Sequence, residues 1–324
     1  MITYITLYFI SFIATFFIKK IAHKKSFLAM PNERSSHVLP TPHGGGIAIA
    51  VTWFLGLIYL LTCKEIDVQL FKALLVGIVL SIVSFMDDLC ELSAKKRLLI
   101  QACVSIGGLY FLGGLSKIDF GIFVIENQIL TNALAFTGII WFINLYNFLD
   151  GIDGYAGSEA VFLGLAGWLI LSGDYFLVFI VSVLGFLVWN WHKAKIFMGD
   201  VGSTLLGYNV AVFAIYSQNN DTSILIWLIL FGLFWFDATL TLVRRYRNGE
   251  KLSCAHKKHA YQRLTQSGWS HDKVVLLSIG INVVLFILGY IAFVFQGFTM
   301  VCFVVALALL YGVVKWIDTK KRFE

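Results

Sequence analysis

The stretch LTNALAFTGIIWFINLYNFLDGIDGYAG, residues 130–157, combines a long apolar run with an abrupt polar end. The run is long enough for a helix to cross the hydrocarbon core of a membrane, which takes about 20 residues. The polar residues that end it recur at every third position: Asn144, Asn147, Asp150 and Asp153. A spacing of three keeps neighbours on a slowly drifting helix face, and a charge at hydrocarbon depth costs several kcal/mol. We therefore predict a functional site where this helix ends.

The composition of the whole chain indicates the same environment. Of 324 residues, 59% are hydrophobic and 14% are charged, and the mean hydropathy is +0.81. Soluble domains are nearer 45–50% apolar and about 25% charged. We predict an all-α polytopic membrane protein forming a single integral membrane domain over residues 1–324, with about eleven transmembrane helices and ten as the alternative. The sixth and seventh spans could form one helical hairpin or a re-entrant pair. The candidate spans lie near 1–18, 46–62, 69–86, 98–115, 130–148, 158–172, 174–192, 202–217, 222–243, 274–295 and 297–316.

The distribution of Lys and Arg predicts the orientation. If the N-terminus lies outside, 22 of the 25 basic residues fall on the cytoplasmic side, a strong positive-inside signal. The net charge of +6 then suits an anionic lipid surface and phosphate-bearing substrates better than nucleic acid. The five cysteines show no metal-binding spacing, and we expect them to serve packing. The predicted cytoplasmic loops lie near 19–45, 87–97, 149–157, 193–201 and 244–273.

Carboxylates collect at helix ends on that cytoplasmic face. Asp87 and Asp88 follow one span, Asp150 and Asp153 follow another, and Asp200 precedes a third. A single acidic pair is most simply a solvated helix boundary, but three such loops beside basic loops favour a divalent cation bound with phosphates. Mg²⁺ is typically held by one or two carboxylates together with phosphate oxygens and water. We expect Mg²⁺, with Mn²⁺ as the alternative ion.

Two further cytoplasmic motifs have both structural and functional interpretations. In FMGDVGS, residues 197–203, Asp200 could simply cap a helix, and Phe197 could be a core aromatic rather than a surface for base stacking. In HKKHAYQRL, residues 256–264, His256 and His259 could belong to a basic helix at the membrane surface or could contact a phosphate or sugar. Asp237, in an apolar run, could form an ion pair with Arg244 or contact a lipid headgroup.

Taken together, the motifs resemble those of the polyprenyl-phosphate N-acetylhexosamine-1-phosphate transferase superfamily, also called glycosyltransferase family 4. The resemblance covers essentially the whole chain, and its specificity comes from the order of five motifs. These are PNERSSH…PTPHGGG, the aspartate pair DD, NLYNFLDGIDG, FMGDVGS and DATLTLVRR…HAYQRL.

The resemblance implies a reaction: transfer of a sugar 1-phosphate from a UDP-sugar to undecaprenyl phosphate at the bacterial inner membrane, with release of UMP. By position in the motifs, Asp200 is expected to bind Mg²⁺ together with Asp87 or Asp88, and Phe197 is expected to stack on uracil. The expected catalytic residues are Asp87, Asp88, Asp150, His256 and His259. The expected substrate-binding residues are Asn144, Asn147, Asp153, Phe197, Arg34, His37, Lys95, Arg244 and Arg263.

Two departures narrow the expected substrate. The pattern H-x-x-H-A-Y-Q-R-L replaces the tighter three-histidine motif of the peptidoglycan and teichoic-acid branches, which disfavours a muramyl-pentapeptide donor. The chain thus resembles the O-antigen-initiating subgroup, for which a 6-deoxy sugar such as FucNAc or QuiNAc is expected, with UDP-GlcNAc as the alternative donor. His43 stands before the three glycines where that subgroup is expected to carry Arg, which leaves the role of this position unassigned.

One alternative mechanism and one other class of protein fit the sequence less well. Direct attack by the lipid phosphate, with Asp87 or Asp88 taking a residual proton, is favoured over a covalent aspartyl intermediate because a phosphate monoester is mostly dianionic at pH 7.

An ion-coupled secondary transporter should carry acidic residues near the membrane midplane on broken helices, and its two halves should be repeats of each other. Here the acids lie at helix ends and no internal repeat is visible. The sequence leaves a homodimer open.

Overall fold

The computed structural model describes residues 1–24, 28–29, 40–90, 92–252, 254 and 256–323. Fourteen α-helices, one 3₁₀ turn and two small antiparallel strand pairs make up this described part. The helices of the first half are α1 Ile2–Lys24, α2 Gly46–Cys63, α3 Val68–Leu75, α4 Gly77–Cys90, α5 Ala94–Leu112, α6 Gln128–Leu149 and α7 Tyr155–Leu171. Those of the second half are α8 Asp174–Asn190, α9 Asp200–Asn219, α10 Ile224–Leu230, α11 Gly232–Arg247, α12 Ala260–Gln266, α13 His271–Val294 and α14 Thr299–Lys320. The strands are β1 Leu28–Ala29, paired with β2 Thr41–Pro42, and β3 Ile118–Asp119, paired with β4 Val124–Ile125, and the 3₁₀ turn is Gln296–Phe298.

The helices agree with a protein that crosses a membrane several times. Each of the eleven predicted spans coincides with a helix or a pair of consecutive helices. Within the described residues, six segments are long and apolar enough to cross a bilayer, and α10 with α11 would add a seventh. The all-α, multi-pass architecture is therefore confirmed, while the number of crossings and the orientation stay predictions.

One predicted span is interrupted. Residues 222–243 form α10 and α11, whose axes meet at 79° instead of continuing as one rod. The indole nitrogen of Trp235 donates a hydrogen bond to the Leu228 carbonyl at 2.7 Å, which satisfies a backbone group next to the break. This bend turns α11 toward the end of α14.

Helix α9 is the centre of the bundle, and nearly all of its residues are buried. It packs against α6, α4 and α2. Two glycines allow the close approach: a Cβ on Gly202 would lie 2.9 Å from the Gly46 Cα, and one on Gly207 would lie 2.5 Å from the Phe142 carbonyl oxygen. The first residue of this central helix is Asp200.

The expectation that the cysteines serve packing is wrong for four of the five. Only Cys302 is buried, because it faces the core from α14. The exposed ones are Cys63, Cys90, Cys103 and Cys254.

Candidate active site

The site begins where two glycine-containing motifs join. The amides of Gly45 and Gly46 donate to the carbonyl oxygens of Phe197 and Met198 at 2.9 and 2.8 Å, and the Phe197 amide donates to the Pro42 carbonyl at 2.8 Å. Gly199 follows in the left-handed region, with φ of +76°, where a side chain would be strained. These contacts fix the turn that places Asp200 at the start of α9.

A cavity of about 380 Å³ lies beside this turn, and we call it the Phe197 cavity. Phe197 is half-buried and lines this cavity. The other side chains in its lining are mostly polar or acidic: His43, Asp88, Asn147, Asp150, Asp153, Asn190, Asp200, Gln262 and His271.

A second cavity, of about 450 Å³, lies between α4, α5, α6 and α11, and we call it the Arg97 cavity. Its walls include the apolar side chains of Leu80, Val83, Leu98 and Leu242. Its polar lining residues include Asp87, Arg97, Asn144, His256 and His259. The lining therefore combines apolar helix faces with basic and polar side chains.

The two cavities meet at three residues that line both: Asn147, Asp200 and Gln262. The Asn147 amide donates to Oδ1 of Asp200 and to Oγ of Ser203, both at 2.9 Å. Asn147 thereby orients Asp200 from the last turn of α6. A ligand in either cavity reaches the same carboxylate.

The carboxylates around this junction have different partners. Asp87 accepts hydrogen bonds from the Leu92 amide at 2.6 Å and from Arg97 at 3.1 Å, and Arg97 also lies 4.0 Å from Asp200. Within the described part of the chain, buried Oδ2 of Asp88 has no hydrogen-bond partner. A buried acceptor without a donor is unfavourable, so a ligand that carries positive charge is expected beside it.

Asp150 adds to the same excess of negative charge. It ends α6 as the residue after the last helical turn. Burial, together with the charge of Asp200, raises the pKa of Asp150 to about 7. Three carboxylates on one cavity wall, Asp88, Asp150 and Asp200, are a donor set that suits Mg²⁺, which takes carboxylate and phosphate oxygens.

The two predicted histidines lie together in the Arg97 cavity. The imidazole rings of His256 and His259 are 4.8 Å apart. Burial, with the nearby His259 and Arg245, lowers the pKa of His256 to about 4, so this ring is neutral near pH 7. His259 is almost fully buried, and its Nδ1 lies 3.7 Å from Asp237.

The segment that carries these histidines is fixed by buried charges. Both carboxylate oxygens of Asp237 accept from the Ala260 amide at 2.9 Å, which holds the start of α12. Buried Arg245 donates to Glu250 at 3.0 Å and to the Lys251 carbonyl at 2.8 Å. The sequence-based pairing of Asp237 with Arg244 is therefore wrong, because Asp237 is used at the start of α12.

Arg244 and Arg263 were predicted to bind substrate, but the structure places them together on another partner. Both form ion pairs with Asp318 near the end of α14, at 3.0 and 2.6 Å, and Arg263 is only 3% exposed. Neither lines the Phe197 or the Arg97 cavity in the described part of the chain. Their contacts connect α11 and α12 to α14.

The remaining residues named from the sequence differ in whether they line a cavity. Lys95 is exposed and is not among the described residues that line either cavity. Asn144 lines the Arg97 cavity, but its amide is paired with Gln101 of α5 at 2.7 Å. His43 lines the Phe197 cavity, and burial lowers its pKa. Arg34 and His37 lie outside the described residues.

The sequence-based interpretation missed several polar residues of the cavities and their edges, among them Arg97, Gln262, His192 and His271. Gln262 stands in the HAYQRL motif, and its Oε1 accepts from the His259 amide at 3.3 Å. Arg97 is two residues from Lys95. The basic character of this segment therefore indicated a positive charge near the site, but the side chain that lines the cavity is Arg97 and not Lys95. The residues next to His192 and His271 in the sequence do not predict a contact with Asp153, because the three residues meet only in the folded chain.

Comparison with known proteins supports the expected resemblance. The model of the family described as glycosyl transferase family 4 matches residues 70–218 of this chain. The probable undecaprenyl-phosphate N-acetylglucosaminyl 1-phosphate transferase of Bacillus subtilis is 32% identical over 295 residues, covering 86% of this chain and 79% of the relative. The undecaprenyl-phosphate alpha-N-acetylglucosaminyl 1-phosphate transferase of Thermotoga maritima is 28% identical, covering 78% and 79% of the two chains.

A third relative belongs to a different branch. The phospho-N-acetylmuramoyl-pentapeptide-transferase of Halalkalibacterium halodurans is 31% identical, covering 73% of this chain and 78% of the relative. The chain belongs to glycosyl transferase family 4, the polyprenyl-phosphate N-acetylhexosamine-1-phosphate transferase superfamily. This membership argues against the secondary-transporter alternative.

Proposed function

We propose that this protein transfers N-acetylhexosamine 1-phosphate from a UDP-sugar to undecaprenyl phosphate and releases UMP. The observation that carries the proposal is the junction of two unlike cavities at Asp200. A transferase must hold two phosphate-bearing substrates with their reacting groups together, and positioning of this kind is a large part of catalysis.

The Phe197 cavity suits the nucleotide donor. The half-buried ring of Phe197 offers a face for uracil, and base stacking on an aromatic ring is worth roughly 1–3 kcal/mol. Asp153, in the same lining, can accept a hydrogen bond from the base. The donor's phosphates would then extend from Phe197 toward Asp200.

The Arg97 cavity suits the lipid acceptor. Its apolar walls match a polyprenyl chain, and Arg97 and the two histidines match the phosphate at the end of that chain. Neutral His256 can donate a hydrogen bond to phosphate without adding a charge. The acceptor phosphate would thus lie at the junction beside Asp200.

Asp200 and Asp88 would hold Mg²⁺ on the side of the Phe197 cavity. When bound, the ion neutralises phosphate charge and aligns the reacting oxygens. Asn147 keeps Asp200 in position through its 2.9 Å hydrogen bond. Asp87 is held by Arg97 and the Leu92 amide, so it is less suited than Asp88 to bind the ion.

Direct attack is the proposed route. A lipid phosphate oxygen bonds to the donor's β-phosphorus while the bond from that phosphorus to the bridging oxygen breaks, and UMP leaves with that oxygen. Arg97 reduces the repulsion between the two anions by lying between Asp87 and Asp200. Asp88 or Asp87 accepts any residual proton of the lipid phosphate.

Two observations favour different donor sugars. The histidine motif favours a 6-deoxy sugar such as FucNAc or QuiNAc, and hence a role in starting O-antigen or another cell-surface polysaccharide. The Bacillus subtilis and Thermotoga maritima relatives are named for N-acetylglucosamine, which favours UDP-GlcNAc.

We place the enzyme in the bacterial inner membrane, and a homodimer stays a prediction.

The deciding assay measures UMP release by purified protein in detergent. Release that requires a UDP-N-acetylhexosamine, undecaprenyl phosphate and Mg²⁺ together supports the proposed reaction, and a panel of UDP-GlcNAc, UDP-FucNAc and UDP-QuiNAc identifies the donor.

Direct attack by the lipid phosphate predicts sequential kinetics. UMP release without lipid, or a labelled sugar phosphate trapped on Asp87 or Asp88, would contradict it, and no release with any donor would contradict the function.

A further inference from the structure

A cluster of two histidines and an aspartate lies at the rim of the Phe197 cavity. Asp153 comes from the turn between α6 and α7, His192 from the turn between α8 and α9, and His271 from the first residue of α13. Among the described residues, these three offer ligand atoms that all lie within 4.8 Å of one another. They are separate from the acids around Asp200 that are expected to hold Mg²⁺.

The distances in this cluster suit a tetrahedral ion. Nδ1 of His192 and Nδ1 of His271 each lie 3.2 Å from Oδ2 of Asp153. Zinc binds nitrogen and oxygen at about 2.0–2.2 Å, which separates neighbouring ligand atoms of a tetrahedron by about 3.3–3.5 Å. The two distances to Asp153 are therefore close to those of a tetrahedral site, and all three ligand atoms lie within 4.8 Å of one another.

The hydrogen bonds around His271 give a second reason. The Asp153 amide donates to Nδ1 of His271 at 3.3 Å, so in that tautomer the nitrogen carries no proton. Its 3.2 Å contact with the Asp153 carboxylate then brings two acceptors together. A cation that took the Nδ1 lone pair would displace the 3.3 Å hydrogen bond from the Asp153 amide and would convert the repulsive contact into ligation, whereas a protonated imidazole is the competing explanation.

A carboxylate lies near the other ring nitrogen of His192, outside direct hydrogen-bond distance in the structure. Oδ1 of Asp272 lies 4.0 Å from Nε2 of His192, the ring nitrogen that faces away from Asp153. Histidines that bind metals usually present their other ring nitrogen to a carboxylate or carbonyl. Asp272 also places a negative charge in the first turn of α13, where the helix dipole alone would oppose a cation.

We propose that Asp153, His192 and His271 form a binding site for Zn²⁺ or a similar borderline divalent ion, distinct from the expected Mg²⁺ site. Imidazole ligands select zinc over magnesium, which prefers oxygen. The ion would bind Oδ2 of Asp153, the oxygen that both histidines contact, which leaves Oδ1 for the hydrogen bond to the base. It would connect three segments that are far apart in sequence and would thereby brace the rim of the Phe197 cavity. The proposal rests on the geometry of the cluster and does not require transferase activity.

The test uses full-length protein without a polyhistidine tag, in detergent with excess Mg²⁺. Equilibrium dialysis with Zn²⁺ should show one bound ion per chain above background, and Co²⁺ should give the visible absorption of a four-coordinate site. His192→Gln and His271→Gln should each weaken binding by roughly tenfold or more, and Asp272→Asn by about tenfold. His23→Gln, at the exposed end of α1, is the matched control and should bind as wild type.

A thermal scan distinguishes loss of the site from loss of the fold. Metal-free variants should unfold at about the wild-type temperature, and Zn²⁺ should raise the Tm of wild type and His23→Gln but not of the two histidine variants. If the histidine variants unfold early, Asp272→Asn carries the test alone. Zinc binding equal in wild type and all variants, or no binding above background, would overturn the proposal and would leave the transferase assay unaffected.

Discussion

The Phe197 cavity and the Arg97 cavity share Asn147, Asp200 and Gln262 but differ in their other walls. The first is lined by acids, glycine backbone and an aromatic ring, while the second is lined by apolar helix faces, an arginine and histidines. Under the proposed function, one carboxylate would serve two substrates of unlike chemistry because it lies where the two cavities meet. Variants should therefore fall into three groups: shared wall, first cavity and second cavity.

The largest effect is expected at the shared wall. Asp200→Asn should lower kcat by about a thousandfold or more, because metal-assisted charge stabilisation is worth several kcal/mol and each ~1.4 kcal/mol is tenfold in rate. Steady-state UMP release at saturating substrates measures it. The control Asp221→Asn removes an exposed carboxylate that pairs with Lys117 and should keep wild-type activity. Near-normal turnover of Asp200→Asn at ordinary Mg²⁺ would refute the shared role.

A smaller effect, confined to one substrate, is expected in the Phe197 cavity. Phe197→Ala should raise KM for the UDP-sugar by roughly ten- to a hundredfold, the loss of ~1–3 kcal/mol of stacking, with little change in KM for the lipid. Phe9→Ala, on an exposed face of α1, controls for loss of an aromatic ring. A change in the lipid KM alone would show that the two cavities are assigned in reverse.

The opposite pattern is expected in the Arg97 cavity. Arg97→Gln should raise KM for undecaprenyl phosphate by about tenfold or more, because hydrogen bonds to charged groups contribute ~1.5–3 kcal/mol, while KM for the UDP-sugar changes little. The neighbouring Lys96→Gln removes the same charge from an exposed position that is not among the described residues lining either cavity. Equal effects of the two variants would indicate a general surface charge effect.

The smallest effect concerns stability in the Arg97 cavity. The pKa of His256 is lowered to about 4 from its ordinary value of 6.5, so the folded state binds less proton than the unfolded chain. Its contribution to stability is fully present above pH 6.5 and is lost as the pH falls toward 4. Between pH 7 and 5 the Tm of wild type should therefore fall about 2–4 °C more than that of His256→Asn, as expected for roughly 1 kcal/mol. Parallel Tm curves would contradict the neutral imidazole.

The motifs predicted from the sequence meet at the junction for a physical reason. Asn147, Asp150 and Asp200 stand at helix ends on one side of the bundle, and helices that cross a layer of fixed thickness bring their ends to a common level. The side chains of α5 were harder to assign. Lys95 and Arg97 are two residues apart, which is about 200° around a helix, so only one of them faces the cavity.

Long-range partners decided the remaining assignments. Asp318 is 74 residues from Arg244 and 55 from Arg263, and its contact with both arginines directs them away from the cavities. Gly151 lines the Phe197 cavity, and a Cβ there would meet the hydroxyl of Tyr261, so its small size also permits packing against α12.

By itself, the sequence determined the membrane-embedded helices, the family and the acidic motifs, because apolar runs, charge asymmetry and motif order are properties of neighbouring residues. Only the tertiary structure decided that Asp200 belongs to two cavities, that Arg97 rather than Lys95 approaches it, and that Asp153 meets His192 and His271. These contacts join residues from separate turns and helix ends. Their distances depend on how the helices pack, which the local order of residues does not specify.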